Sequence, residues 1–324
     1  MALASSGVLK PVPLFCREGC LYVTAPWFPK RCNCIVQELN CEKLNISGSD
    51  GIDKELDRYS KDEYTVVPIL NDCKGLAIPK SIRNLPNLLG LYVYASKLVE
   101  WGEGAALTSD AFASISYIIF VNTTLSEIPT GLLTNLASTV QDIEIIALST
   151  PLVLPENLHE KWLTVGTLYL ERCNLGTFPE PLLRMESLEQ LSLAGNSIAD
   201  LPESLFTSPL FMSLGYLVLS ANPSLMYLPP NLDATTSLLE LYVDATSVVK
   251  LNLTGLDKSS SDLKVSAAQS PVCESGSASS SSSASKSTRV SCDGLYGGMY
   301  TLGVYPLLPE QQTTRSANFL SVDL

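Results

Sequence analysis

Leu188-Glu189-Gln190-Leu191-Ser192-Leu193-Ala194-Gly195-Asn196-Ser197-Ile198-Ala199-Asp200-Leu201-Pro202 decides the reading of this chain. Apolar residues at 188, 191 and 193 put three side chains on one edge of a short strand. Ile198 and the Leu201-Pro202 ending then close a turn and send the chain back. A unit of this kind cannot bury its apolar edge alone and must stack on copies of itself. The copies are present: Leu88-Leu91-Val93, Ile115-Ile118-Phe120, Val140-Ile143-Ile145 and Val165-Leu168-Leu170 precede it, and Leu214-Leu217-Leu219 and Leu238-Leu241-Val243 follow. Their starts are 27, 25, 25, 23, 26 and 24 residues apart, so the period is that of one strand plus one return. A weaker first copy holds Leu70, Cys73, Leu76, Ile78 and Pro79. An edge copy, Val36-Leu39-Cys41 with Leu44 and Ile46, comes before it, and Leu263 with Val265 supplies a last strand.

The spacing and the Asn196-x-Ile198-x-x-Leu201-Pro202 stretch resemble the leucine-rich repeat family, and the resemblance covers roughly residues 33 to 266. It implies an α/β right-handed solenoid, or horseshoe, with a parallel sheet on its concave side and short helical, 3₁₀ or extended returns on the other. The family's ladder of asparagines is kept at Asn196 and Asn222. Cys73 and Cys173 replace it in two units, and Ser96, Thr123 and Thr246 in others. Each is small and polar, suited to satisfying a tight turn's backbone inside a dry core. The two cysteines are therefore expected as buried thiols, neither reactive nor metal-bound.

Five of the nine cysteines, Cys16, Cys20, Cys32, Cys34 and Cys41, crowd into the first 41 residues. The group resembles the disulfide cap that covers the N-terminal edge of extracellular leucine-rich repeat proteins. That cap usually holds four cysteines, so one is surplus, and the pairing is left open. Cys273 and Cys292 bracket a second, smaller clasp. A zinc site fits Cys-x-Cys with no nearby His poorly, and no metal or other cofactor is expected. Such cysteine density implies an oxidising compartment. The sequons at Asn45, Asn122 and Asn252 agree with it as glycosylation sites. Residues 1–15 lack a basic start and a long apolar run, so no signal peptide is read there. The cap spacing outweighs that, and the expected location is secreted or cell surface, with a cytoplasmic protein as the alternative.

The organisation follows: 1–41, N-terminal arm and disulfide cap; 42–256, about eight repeats; 257–292, a C-terminal edge with the Ser-rich loop 275–288; and 293–324, a tail in no repeat register. An insertion at 102–110 is expected on the convex or descending side. No segment approaches 18 consecutive apolar residues, so no membrane span is expected. With 21 Lys and Arg against 33 Asp and Glu, and a net charge of −12, no basic stripe argues for nucleic acid.

Strand side chains alternate, so the residues between the apolar ones point into the bowl. Across seven units these slots hold Tyr92, Tyr94, Tyr117, Tyr169, Tyr216 and Tyr242, together with Asp142, Glu144, Glu171, Asp244 and Glu240, and no Lys or Arg. Tyrosine offers large contact area with a polar tip at little entropic cost. Exposed Ile and Val beside the tyrosines would form an apolar strip, and the carboxylates suit a cationic group. The expected function is non-enzymatic recognition of a peptide or protein of cationic character on this face, as in the ectodomain of a receptor or adhesion protein. An intracellular scaffold docking signalling proteins is the alternative. Catalysis fails on inventory: the one histidine, His159, sits in a return segment with no nucleophile beside it, and no Gly-rich phosphate loop follows a strand.

Overall fold

The computed structural model describes residues 16, 18–23, 34–46, 49–60, 65–85, 87–251, 263–274 and 290–292. Cys32, Asn252, the Ser-rich stretch 275–288 and the tail 293–324 lie outside them. In chain order the strands are β1 (Cys20–Val23), β2 (Cys34–Asn40), β3 (Val67–Asn71), β4 (Leu76–Ala77), β5 (Gly90–Tyr94), β6 (Leu98–Glu100), β7 (Tyr117–Val121), β8 (Asp142–Ile146), β9 (Thr167–Glu171), β10 (Gln190–Ser192), β11 (Tyr216–Val218), β12 (Glu240–Tyr242), β13 (Lys264–Ser266) and β14 (Val290–Ser291). Twelve of them form one sheet in the order β1-β2-β3-β5-β7-β8-β9-β10-β11-β12-β13-β14, and β4 pairs with β6 in a second small sheet. Strand β1 runs antiparallel to β2, and every later neighbour in the large sheet is parallel.

The strands lie where the apolar spacing places them, and the register is one-to-one: Leu91 opposes Ile118, Ile118 opposes Ile143, and Ile143 opposes Leu168. Each apolar triad is fully withdrawn from water, from Leu88, Leu91 and Val93 to Leu238, Leu241 and Val243, and together they form one continuous core. Burying each such side chain is worth roughly 1.5–3 kcal/mol, which an isolated unit would forgo. The returns are brief, single turns such as Thr130–Leu133 and Glu180–Arg184. The exception is a twelve-residue helix, α1 (Ser49–Ser60), which buries Ile52, Leu56 and Tyr59 from one face. Residues 102–110 hold a 3₁₀ turn at Glu103–Ala105, and this segment's Leu107 bonds through its backbone to Gly131 and Ala137 of the next return.

Between strand and return the backbone turns the same way in unit after unit. Asp72, Ala95, Asn122, Ala147, Arg172, Gly195, Ala221, Ala245 and Gln269 all have φ between 45° and 69°, each immediately before the ladder residue. Left-handed geometry is costly for any residue but glycine, so the ladder must hold the turn in place. Asn196 does this with four main bonds. Its Nδ2 donates to Leu170 O (2.8 Å) and Leu193 O (2.8 Å), and its Oδ1 accepts from Cys173 N (2.8 Å) and Leu175 N (3.2 Å). Asn222 repeats the arrangement on Leu193 O, Leu219 O and Ile198 N. Where the ladder position is the apolar Leu148, the next rung compensates: Cys173 Sγ donates to Ile145 O at 3.2 Å.

Cys173 is the buried free thiol the ladder reading expects, with its pKa pushed up to about 12 by burial. Cys73 corrects that reading. It is disulfide-bonded to Cys41, with 4.9 Å between Cα atoms. Cys41 follows β2 by one residue and Cys73 follows β3 by two, and the spacing of adjacent strands is itself within disulfide reach. Cys20–Cys34 ties β1 to β2, Cys273–Cys292 ties the far end, and Cys16 is disulfide-bonded as well. The surplus cysteine of the N-terminal group is thus accounted for by a bond into the first repeat.

Candidate functional site

The sheet has a core face and an open face, and each strand lends the open face its alternate residues. The one-to-one register turns these into rows. One row runs Tyr92, Ile119, Glu144, Tyr169, Ser192, Val218, Tyr242; a second runs Tyr117, Asp142, Thr167, Gln190, Tyr216, Glu240; a third runs Tyr94, Val121, Ile146, Glu171. All ten residues singled out from the sequence therefore sit on strands β5 to β12 or directly after them. Their surroundings differ sharply.

In the first half of the face the side chains pack on one another. The rings of Tyr92 and Tyr117 meet edge to face, 5.6 Å between centroids. Tyr117 lies across Gly90, where even a Cβ would come within 2.0 Å of the ring, so the glycine is what lets this tyrosine lie flat. Ile119, Val121 and Ile146 are buried rather than exposed, contrary to the apolar strip expected from the sequence. With Ile69 they form a second small core, bordered by Tyr92, Tyr94, Tyr117 and by Leu21 and Tyr22 of β1. The reason is the bulk of the neighbours: the tyrosines close over the aliphatic side chains between them.

This packing drags carboxylates out of water. Glu144 is 8% exposed and Asp142 half-buried; burial raises Asp142 to about 6. The same burial pushes the Tyr117 hydroxyl up to about 12 and that of Tyr92 higher still, with the nearby acidic groups adding to both. Glu171 is the extreme case. It is 0% exposed, and no donor meets either carboxylate oxygen at full hydrogen-bond distance and angle; the Ser192 hydroxyl bears on it only weakly. Burial raises its pKa to about 8 against weaker opposing pulls from Ser192 and Arg172.

In the second half the groups satisfy one another. Tyr169 donates to Gln190 Oε1 at 3.0 Å, Tyr242 donates to Glu240, and Lys264 Nζ lies 3.7 Å from Glu240 Oε1. Tyr216 is 37% exposed and is the most open of the six tyrosines. Asp244 corrects its sequence reading. It is fully buried, accepting from Ser266 Oγ (2.6 Å), Ala268 N (2.8 Å) and Ser220 Oγ (3.3 Å), and so pins the last turns and does not face a ligand. A short carboxylate in this slot reaches only the neighbouring turn. Lys264, one strand beyond the seven aligned units, is a cation on this face that the slot inventory stopped short of.

His159 is half-buried on the single turn Leu158–Lys161, in a return segment. Among the described residues no cluster of His, Cys, Asp and Glu is arranged to hold a metal ion. Asn45 and Asn122 are both exposed, at left-handed turns.

No protein-family model matches the sequence, and comparison with curated proteins gives no match. Among solved structures the chain is similar to the leucine-rich repeat domain of the type III effector XopL (TM-score 0.54, 14% identity, 76% of this chain and 79% of that one). It is also similar to a leucine-rich repeat protein of Leptospira interrogans (0.49, 18%, 71% and 64%) and to an internalin, InlF, from Listeria monocytogenes (0.47, 18%, 65% and 56%). The chain thus spans less than two thirds of the length of the latter two proteins. The likeness to the XopL domain and the parallel one-strand-per-repeat sheet make the fold a leucine-rich repeat solenoid.

Proposed function

We propose that this chain is a non-enzymatic recognition module whose open sheet face, the concave side of the solenoid, binds a peptide or protein segment carrying a cationic side chain. The observation that carries the proposal is Glu171, a carboxyl with no exposure and nothing near it but a weakly placed Ser192 hydroxyl to satisfy its oxygens. Buried polar groups are almost always satisfied, and an unpaired one costs stability that a ligand can restore. Asp142 and Glu144 on the adjacent strand add negative potential, and Tyr92, Tyr117 and Tyr169 supply contact area. Tyr94, Tyr216 and Tyr242 extend the surface toward its two ends. A lysine or arginine side chain reaching Glu171 would ionise it and release a proton, so affinity for such a ligand should rise as pH increases toward 8. A solved leucine-rich repeat domain of similar fold belongs to a type III effector, which agrees with a recognition role.

In this reading, residues 1–41 form a disulfide cap, 42–256 carry the repeats, 257–292 form the closing edge and 293–324 a separate tail. The setting is secreted or cell surface. It is supported by the Cys20–Cys34, Cys41–Cys73 and Cys273–Cys292 bonds, and by exposed sequons at Asn45 and Asn122. No helix among the described residues is long and apolar enough to cross a membrane.

The test is calorimetric titration of the full chain with ten-residue peptides identical except for Lys, norleucine or Glu at the centre, at pH 6 and pH 8. Tighter binding of the Lys peptide, strengthening from pH 6 to 8 and lost in Glu171→Gln, supports the proposal. Equal binding of all three, or an unchanged Lys affinity in Glu171→Gln, overturns it. Intact mass of the same preparation, with and without reductant, decides the compartment: nine free thiols in folded protein would remove the extracellular setting.

A further inference from the structure

The descending flank, beside the sheet rather than on it, has a ladder of its own that breaks in the middle. It begins with β4 against β6, continues through the parallel bridges Lys97 to Thr124 and Glu127 to Val153, and ends with Val153 N donating to Ser126 O at 2.9 Å. It resumes one repeat later, where Ser197 N donates to Leu175 O (2.9 Å) and Ala199 N to Gly176 O (3.4 Å). Among the described residues no backbone hydrogen bond joins 152–154 to 176–178. Prolines flank the gap, Pro151 and Pro155 on one side and Pro179 and Pro181 on the other.

Two cavities of about 590 and 630 Å³ open along this flank, and both are lined by Val153. Val153 is 65% exposed, and Val99 at the first cavity 58%. The two exposed valines share the lining of the first cavity, so the exposed apolar surface there is continuous with the cavity floor and not scattered. The floor is apolar: Trp101, Ile128, Leu152, Leu154 and Phe178 are buried beneath the two cavities. The rim is acidic. Glu100 and Glu127 line one cavity and Glu180 and Asp200 the other; all four are exposed, and none is in an ion pair among the described residues. Neither cavity is lined by a Lys or Arg, although the chain has 21.

We infer that this flank is a second docking site, taking an extended segment of a partner protein in which apolar residues alternate with Lys or Arg. The apolar side chains fill the two cavities astride Val153, and the basic ones meet the four rim carboxylates. The cavities together cross five repeats. At about 5 Å per repeat that is roughly 20 Å, the length of about six residues of extended chain. The exposed rim pairs give register and association rate more than affinity, and the cavities give the contact area. The site stands on different residues from the sheet face and does not depend on Glu171.

The probe is a fluorescein-labelled eight-residue peptide alternating Leu and Arg, with a control in which Glu replaces every Arg. Fluorescence anisotropy with the full chain should show saturable binding of the Arg peptide, at least tenfold tighter than the control. Val153→Arg, a change at an exposed position, should weaken it tenfold or more. Val99→Arg should weaken it several-fold, and Glu127→Gln with Glu180→Gln should flatten its salt dependence. Glu171→Gln should leave it unchanged. Failure of the Arg peptide to bind, equal binding of the Glu control, or indifference to both valine substitutions in variants that melt like the parent overturns the inference. Loss of binding in Glu171→Gln would move the peptide to the sheet face, and would overturn this site while leaving the sheet-face reading intact.

Discussion

Glu171 and Asp244 occupy the same slot of their repeats, three units apart, and both are withdrawn completely from solvent. Asp244 collects three donors from the two neighbouring turns. Glu171 has only the weak pull of the Ser192 hydroxyl, and burial raises its pKa to about 8. Equal burial with opposite satisfaction separates the two halves of the sheet face. The C-terminal half spends its carboxylate on closing its own turns, with Ser220 and Ser266 placed to donate. The N-terminal half surrounds its carboxylates with Tyr, Ile and Val, which can pack but cannot neutralise charge. A structural carboxylate and a recognition carboxylate are thus told apart by their partners, not by their position in the repeat.

The largest effect is expected from Asp244→Ala. It strands Ser266 Oγ and Ala268 N in a buried turn, and should cost about 3–5 kcal/mol in urea unfolding. A loss below 1 kcal/mol would mean those bonds contribute little and would erase the contrast.

Glu171→Gln should do the reverse, and only at high pH. The folded pKa, about 8, lies above the ordinary 4.5, so the fold favours the protonated form. That contribution is complete below pH 4.5 and is lost as pH rises through 8. Wild type and variant should therefore unfold at similar urea concentrations at pH 5. At pH 9 the variant should be more stable by about 2 kcal/mol or more. Parallel curves at the two pH values would show that Glu171 is not held neutral, and would remove the difference between it and Asp244.

How far the sequence carries this contrast can be read residue by residue. The triads such as Leu188, Leu191 and Leu193 made the solenoid and its pitch legible, because burial of that edge admits no other arrangement. The same alternation separated the residues of the core edge from those between them, although the slot holding Glu171 and Asp244 is itself withdrawn from solvent. It could not say what each would meet there. Ile119 and Val121 are hidden because Tyr92, Tyr94 and Tyr117 close over them, a matter of bulk in adjacent strands. Helix α1 was missed although Ile52, Leu56 and Tyr59 carry the helical spacing, because strongly polar residues separate them. Cys73 reads as a ladder thiol because its position matches the ladder slot, and nothing in the repeat spacing shows that Cys41, just past the preceding strand, comes within bonding distance. The flank groove had no signature at all: it lies where a backbone ladder that the repeat pattern does not describe stops between 152–154 and 176–178.

The smallest effect tests whether the two halves share one frame beneath their different faces. Ala147 and Ala245 hold equivalent left-handed turns, at φ 56° and 50°, and sequence alone gives no sign of it because alanine is ordinary almost anywhere. Glycine at either position relieves about 1 kcal/mol of backbone strain and returns about half of that through the freer unfolded chain. Ala245→Gly should therefore gain about 0.5 kcal/mol, a rise in melting temperature of about 1–2 °C. Ala147 carries a second role, since its methyl packs against the small core of Ile69, Ile119, Val121 and Ile146. Ala147→Gly should then gain less than Ala245→Gly, or lose slightly. Identical shifts at both positions would show that the open-face core contributes nothing at its border. A gain at 245 beside a loss at 147 would show that the turns are common to both halves and that only the side chains laid over them differ.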